Sequence, residues 1–260
     1  MRAFACALAA SAVLFASPVG AAPMRAASLN LCTDELLLML ARPEQIASVT
    51  HLSQSPAESP LWRQARRYRR NDGSLLSVAP LRPELVITMG GGGGDRTGIA
   101  RRLGVRMLTL PFAQSLGDVE RSITTVAAAL GRDAAGRRLL ARIKALRRSA
   151  PPASVDTVWL GGGGRSVGAD GLAAAWMRLA GFRQRALPGE RLTLEQLLVR
   201  PPALLLRSDY RSGQYSREQS WLAHPLLKRP RTLLTDGRRW TCMGPAMIDE
   251  VARLRTAARR

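Results

Sequence analysis

Apolar residues recur at spacings of three and four through the middle of the chain, and this periodicity predicts a helix over residues 115–149. Ser115 and Asp118 have the spacing of a capping box at its start, and two prolines follow its end. An unbroken helix of this length would extend about 50 Å, at ~1.5 Å per residue. Gly131 is the position at which it can divide into two. We therefore expect a bridging helix between two segments of similar size.

Short apolar runs alternate with helical patterns on both sides of this bridging helix. Strands are expected at 26–30, 46–49, 83–88 and 105–109 before it, and at 155–160, 202–206 and 232–235 after it. Thr33 is the expected N-cap of the first helix. Strand–helix alternation predicts parallel sheets covered by helices, so the fold class is α/β. We expect an N-terminal lobe at 23–114, the bridging helix at 115–149, a C-terminal lobe at 150–260, and a ligand cleft between the lobes.

The first 22 residues have the pattern of a secretory signal peptide. Arg2 precedes an apolar run from Ala3 to Ala16, and small residues follow up to Ala21 and Ala22. The run is too short for a membrane anchor. The sequence therefore predicts an exported, periplasmic protein.

The chain is strongly basic, with 39 Lys and Arg residues against 19 Asp and Glu and a net charge of +20. Nearly all of the positive charge is arginine, which we interpret mainly as a compositional bias on a solvated surface, although it also attracts anionic ligands. Export argues against a nucleic-acid partner. With only His51 and His224 in the chain, a bare-ion site of several imidazoles is excluded. We expect no resident cofactor or metal.

Two glycine-rich stretches, 90–94 and 161–164, follow predicted strands. Neither matches a dinucleotide-binding or P-loop pattern, so we interpret both as tight turns. Residues 164–168 do match G-x-S-x-G, and Asp209 and His224 follow Ser166 in the order of an α/β-hydrolase triad. However, Ser166 lies six residues past Leu160, inside the glycine loop and not at the strand-to-helix turn. An exported serine hydrolase is therefore kept as the alternative function.

Three further stretches carry a resemblance to a known family. Residues 28–37 (SLNLCTDELL), 81–88 (LRPELVIT) and 240–245 (WTCMGP), together with the central helix, resemble the class III periplasmic substrate-binding proteins. These deliver cobalamin and ferric chelates to ABC importers. The resemblance implies two Rossmann-like lobes bridged by one long helix, no catalytic residues, a monomer, and a permease as partner. The implied ligand is a cobalt or iron chelate: cobalamin, a ferric siderophore or haem.

The ligand contacts are expected at the turns that face the cleft. Aromatic faces suit a flat or apolar chelate, whereas Arg165 and Arg207 suit an anionic one. We expect Trp240 to contact the ligand and Trp176 to belong to the core. The expected contacts are Cys32, Thr33, His51, Leu52, Met89, Gly90, Gly91 and Phe112 in the first lobe, and Gly162, Arg165, Asp209, Tyr210, Trp240, Cys242 and Met243 in the second.

Family members usually carry one exposed glutamate on each lobe for docking to permease arginines. Glu195, in Leu-Glu-Gln-Leu, matches that motif in the second lobe. In the first lobe Leu76 stands where the acid is expected, and Glu58 or Asp72 are the candidates to replace it.

Two cysteines remain after removal of the signal peptide, Cys32 and Cys242, and each follows a predicted strand in a different lobe. A disulfide needs Cα atoms within ~7 Å and would pin the lobes together. We therefore expect two free thiols on opposite walls of the cleft. Because the periplasm is oxidising, a disulfide is the close alternative.

Overall fold

The computed structural model of the protein describes residues 24–90, 94–209 and 230–258. Within these ranges the strands form two sheets, and every pairing between the strands of each sheet is parallel. The predicted α/β class with two parallel sheets is therefore confirmed. We refer to the parts of the chain around the two sheets as the N-terminal and C-terminal lobes.

The N-terminal lobe contains a sheet with the strand order β3-β2-β1-β4-β5. Its elements are β1 (Ala26–Ser28), α1 (Leu31–Leu40), β2 (Ile46–Thr50), α2 (Trp62–Ala65), β3 (Arg70–Asn71), α3 (Leu75–Val78), β4 (Leu85–Met89), α4 (Gly94–Arg102) and β5 (Arg106–Leu110).

Two helices, α5 (Leu116–Ala129) and α6 (Asp133–Arg148), lead to the C-terminal lobe, whose sheet has the order β7-β6-β8-β9. Its elements are β6 (Val155–Leu160), α7 (Leu172–Leu179), β7 (Phe182–Gln184), α8 (Leu194–Val199), β8 (Leu204–Asp209), β9 (Arg231–Asp236), α9 (Gly237–Cys242) and α10 (Met247–Ala258).

Both faces of the sheets are covered by apolar side chains, which is why their strands appear as short apolar runs. In β4, Leu85 and Ile87 join the large core under α1 and α5, while Val86 packs on the other side with Leu75 and Val78 of α3. The large core continues through α5 and α6 into the C-terminal lobe. The two lobes therefore share one apolar core.

The bridging segment is not one continuous helix: it forms α5 and α6, and it divides at Gly131, the position at which the sequence allowed a break. Gly131 adopts a left-handed backbone with φ +63°, and the α6 residue Gly136 packs closely on Ala127 of α5. A Cβ on Gly136 would lie 2.7 Å from the Ala127 Cβ, so the two helices fold against each other. The predicted capping box is confirmed, with the Asp118 amide bonded to Ser115 Oγ and the Ser115 amide bonded to Asp118.

The N-cap of α1 is Asn30, and the expectation of Thr33 was wrong. Asn30 Oδ1 accepts the Thr33 N–H at 2.9 Å, so Thr33 is the third helical residue. Asn30 Nδ2 donates to the carbonyl of Met89 at 3.1 Å, which ties the β1–α1 turn to the end of β4. None of the helices in the described part of the chain is long and apolar enough to cross a bilayer.

Candidate functional site

A cavity of about 420 Å³ lies between the lobes, at the carboxyl ends of strands from both sheets. The strand order reverses between β1 and β4 in one sheet and between β6 and β8 in the other, and open parallel sheets bind ligands at such reversals. This volume is in the range of small-molecule sites. The cavity is lined by Cys32, Met89, Phe112, Ala113, Gln114, Ser166, Val167, Gly168, Gly171, Leu172, Ala173, Glu190, Thr241, Cys242 and Met243.

The N-terminal wall is built by the turns that end β4 and β5. Phe112 is 63% exposed, so its ring is available to a ligand. Gly90 lies beneath this ring with φ +77°, and a Cβ there would lie 2.4 Å from the Phe112 ring. Glycine is therefore required at position 90 for the ring to occupy this place. Met89 adds a half-buried thioether to the same wall.

The C-terminal wall contains two residues with unusual backbone geometry. Glu190 and Met243 have φ +50° and +48°, and together with Arg82 they are the non-glycine residues with positive φ in the described part of the chain. Such conformations cost on the order of 1–3 kcal/mol each and concentrate at functional sites. The Glu190 carbonyl accepts the Ser166 N–H at 2.7 Å, and the Met243 carbonyl accepts Trp176 Nε1–H at 2.8 Å. These bonds help to hold both residues where they line the cavity.

Cys32 and Cys242 are joined by a disulfide, so the prediction of free thiols was wrong. Their Cα atoms are 5.2 Å apart, inside the distance that a disulfide requires. The two turns do lie on the cavity wall, but at an edge where the lobes meet and not on opposite sides of it. The prediction assumed that a ligand fits between the two cysteines. The bonded pair leaves no space for one.

Trp240 and Thr33, both expected to contact the ligand, are buried. Trp240 is 6% exposed, packs against Trp159 at a tilted angle with ring centroids 5.9 Å apart, and donates its Nε1–H to Thr235 Oγ1 at 2.7 Å. The Thr33 hydroxyl bonds within the β1–α1 turn, to Ser28 and Asn30. These two assignments are therefore corrected to structural positions. Trp176 is fully buried in the core, as expected.

The cavity wall brings together Cys32, Met89, Phe112, Cys242 and Met243 from the expected contacts, and Gly90 supports it from behind. The other expected contacts do not line it. Besides the buried Thr33 and Trp240, those in the described ranges are the exposed residues His51, Leu52, Gly162, Arg165 and Asp209, while Gly91 and Tyr210 lie outside the described residues.

The wall contains little charge. Among its lining residues in the described ranges, Glu190 carries the one formal charge. Arg165 and Arg207, which were expected to favour an anionic ligand, are exposed and do not line the cavity. The described wall is thus mostly apolar and contains four sulfur atoms.

Ser166 lines the cavity, but its hydroxyl makes structural hydrogen bonds. It donates to the carbonyl of Trp159 at 2.6 Å and accepts from Gln184 Nε2 at 3.1 Å. These bonds fix the glycine-rich loop against β6 and β7. Asp209 is exposed at the end of β8, and His224 lies outside the described residues.

A buried carboxyl group, Glu35, spans the junction of the lobes beside the disulfide. Its Oε1 accepts the Ala246 N–H at 2.9 Å, and Gly244 packs so closely that a Cβ there would lie 2.5 Å from the same oxygen. Burial raises the pKa of Glu35 from 4.5 to about 7, against the opposing effects of the Ala246 amide and Arg239. Glu35 therefore ionises near neutral pH.

The two predicted docking positions occupy equivalent places in the lobes. Glu195 is exposed in the first turn of α8, after the N-cap Thr193, and Leu76 is 74% exposed in the first turn of α3, after the N-cap Ser74. The backbone N–H of Glu195 and the Thr193 hydroxyl hold the pKa of the Glu195 carboxyl below its usual value.

Several wall residues were not expected from the sequence: Gln114, Val167, Gly168, Gly171, Leu172, Ala173 and Glu190. A signal for part of this wall was present, since Gly161–Gly168 follows β6 as Gly90 follows β4. Glu190 could not be found this way, because it reaches the cavity through a turn after β7, a strand that the pattern did not predict.

Comparison with solved structures shows the same fold in periplasmic binding proteins. A periplasmic heme-binding protein from Pseudomonas aeruginosa matches with a TM-score of 0.63 and 20% identity, covering 90% of this chain and 92% of the other. The heme-binding protein HutB of Vibrio cholerae matches with a TM-score of 0.66 and 19% identity, covering 90% of this chain and 98% of the other. A possible iron-binding solute-binding protein from Staphylococcus epidermidis matches with a TM-score of 0.67 and 15% identity, covering 92% of this chain and 100% of the other. No family model and no curated protein matches the chain. The chain therefore has the two-lobed fold of periplasmic binding proteins.

Proposed function

We propose that this protein is a periplasmic substrate-binding protein of an ABC importer and that its cargo is haem. The observation that carries the proposal is the interlobe cavity at both strand reversals, with a mostly apolar and sulfur-rich wall. The protein binds and delivers its ligand and is not an enzyme. The proposed organisation keeps a signal peptide at 1–22, lobes at 23–114 and 150–260, and a two-helix connection between them.

Haem suits this wall better than an anionic ferric siderophore does. A flat porphyrin can pack against Phe112, Met89 and Met243, since aromatic rings and thioethers both make favourable contacts with aromatic surfaces. An anionic ferric siderophore would call for arginines, and the described wall contains none. Two of the structural neighbours described above are heme-binding proteins, which supports the same choice.

The proposed partner is a membrane permease that binds the liganded protein. Glu195 is exposed on the C-terminal lobe and is suited to pair with a basic residue of that partner. Leu76, at the equivalent place on the N-terminal lobe, would contact an uncharged surface. We propose that the protein docks as a monomer through these two short helices.

Titration of the mature protein with haemin tests the function. We expect one site per chain, seen as a shift of the porphyrin absorption band. Phe112→Ala should weaken binding by roughly 1–3 kcal/mol, because it removes an aromatic contact from the wall. Leu103→Ala is the matched control, since Leu103 is a partly exposed apolar residue outside the cavity wall.

Parallel titrations with cobalamin and a ferric siderophore compare the cargo classes. Tighter binding of either one than of haemin would contradict the choice of cargo. Turnover of an activated ester that disappears in Ser166→Ala would contradict the binding function and support the hydrolase.

A further inference from the structure

The Cys32–Cys242 disulfide lies at an edge where the two lobes touch. Cys32 is in the first turn of α1, and Cys242 is the last residue of α9, 210 positions further along the chain. Two more contacts hold the lobes together nearby: Glu35 accepts the Ala246 N–H at 2.9 Å, and Arg238 Nη1 donates to the Pro56 carbonyl at 2.7 Å. The disulfide is therefore part of an interlobe seam.

This disulfide also forms part of the cavity wall. Both cysteines are only partly buried, and both line the 420 Å³ cavity. A second cavity of about 20 Å³ also borders both cysteines, and its other lining residues include Leu36, Val119 and Pro245. The sulfur pair thus borders both spaces, and a molecule in the larger cavity can reach it.

We propose that the disulfide is a redox-sensitive clasp in the cavity wall, which keeps the seam closed when oxidised and releases it when reduced. A bound ligand and an attacking dithiol would occupy the same face of the sulfur pair. Ligand binding and disulfide reduction are then coupled, and the ligand part of this inference rests on the proposed function.

The exchange needs a dithiol as the reductant. Its thiolate attacks one cysteine sulfur and forms a mixed disulfide, and the other cysteine leaves as a thiolate. The second thiol of the reductant then displaces the first cysteine. The protein gains two electrons and two protons as two thiols, and the dithiol is oxidised to a disulfide.

The coupling can be measured because ligand binding and disulfide reduction are thermodynamically linked. If a porphyrin binds the oxidised protein more tightly than the reduced protein, it must disfavour reduction by the same factor. Reduction leaves the seam to noncovalent contacts such as the Glu35–Ala246 hydrogen bond. We expect the coupling to fall within about 5- to 150-fold, the usual range for two linked sites.

The first test uses the mature protein without any ligand. Dithiothreitol is added under native conditions, new thiols are counted by alkylation and mass spectrometry, and the radius of gyration is measured by X-ray scattering. We expect two new thiols in the folded chain and a larger radius. The double variant Cys32→Ser/Cys242→Ser should have the larger radius without reductant and should not respond to it. Thiols that become reactive only in denaturant, or an unchanged radius after full reduction, would overturn the clasp.

The second test adds gallium(III) protoporphyrin IX, a porphyrin whose metal is not reduced by dithiols. In a buffer of reduced and oxidised dithiothreitol, it should shift the equilibrium towards the protein disulfide, and it should bind the double serine variant more weakly than the oxidised protein, by the same factor within error. Equal affinity for both forms together with an unchanged reduction equilibrium would overturn the coupling. If the porphyrin does not bind the oxidised protein at all, the proposed haem function fails, while the ligand-free test still decides the clasp. If the double variant does not fold, alkylation and scattering of the reduced wild type still decide it.

Discussion

Replacing Glu35 with glutamine should change how the stability of the protein depends on pH. Glu35 is buried at the interlobe seam, and burial raises its pKa from 4.5 to about 7. The folded state therefore binds this proton more tightly than the unfolded chain does. The stabilising contribution is fully present below pH 4.5 and is lost as the pH rises through 7.

The size of the effect follows from the difference between the two pKa values. A difference of about 2.5 pH units at 1.36 kcal/mol per unit corresponds to a loss of roughly 3 kcal/mol between pH 4.5 and pH 7. Glutamine cannot ionise, and its amide oxygen can still accept the Ala246 N–H. Glu35→Gln should therefore be more stable than the wild type at pH 8, by up to about 3 kcal/mol. At pH 4.5 the two proteins should differ by only about 1 kcal/mol or less.

Urea denaturation of the oxidised proteins at several pH values between 4 and 8 gives the free energies of unfolding. Asp34, whose pKa burial raises to about 6, adds a second pH-dependent loss, but it is present in both proteins and cancels in their difference. Glu44→Gln is the control, because that carboxyl is exposed and lies away from the seam. Parallel stability curves for wild type and Glu35→Gln would refute the reasoning, and so would a variant that is less stable than the wild type at pH 8.

Two further predictions concern the tryptophan core and the docking surface. Trp240→Ala should lower the free energy of unfolding by about 3–5 kcal/mol, because it removes a buried indole packed on Trp159; an unchanged melting temperature with lost porphyrin binding would instead restore its role as a ligand contact. Glu195→Arg should reduce transport in vesicles containing the permease while porphyrin affinity stays unchanged, because the charge pair becomes a repulsion. Transport equal to that of Glu44→Arg, a charge reversal at another exposed site, would contradict this docking role.

Much of the fold could be predicted because its strands are apolar runs with clear ends. The strand β6 has the predicted bounds. The strands β3 and β7 were missed because, with two and three residues, they are too short to show an alternating or apolar pattern.

The errors at helix ends have a local cause. Asn30 and Thr33 can both cap a helix, and a sequence pattern cannot decide between two capping residues three positions apart. The structure uses Asn30, because its amide also bonds the Met89 carbonyl across the sheet. That second bond depends on the pairing of β1 with β4, which is a tertiary contact.

The sequence predicted the cavity residues that lie at the ends of strands. It did not predict in which direction a side chain such as that of Trp240 points. Met89 ends β4 and Phe112 follows β5, and the rule that ligands bind at the carboxyl ends of parallel strands was enough to place them. Trp240 lies in α9, a helix that the sequence did not reveal. Its indole packs inward on Trp159, while the next three residues line the cavity.

The strained residues explain why the second lobe was harder to predict than the first. A left-handed turn is normally recognised by its glycine, as at Gly90, but at the cavity the structure places Glu190 and Met243 in that conformation. A glycine would adopt either backbone without this cost, yet it would leave no carboxylate and no thioether in the wall. The strain persists because hydrogen bonds to Ser166 and Trp176 hold the two carbonyls. The side chains at these two positions are therefore the ones that we expect a ligand to require.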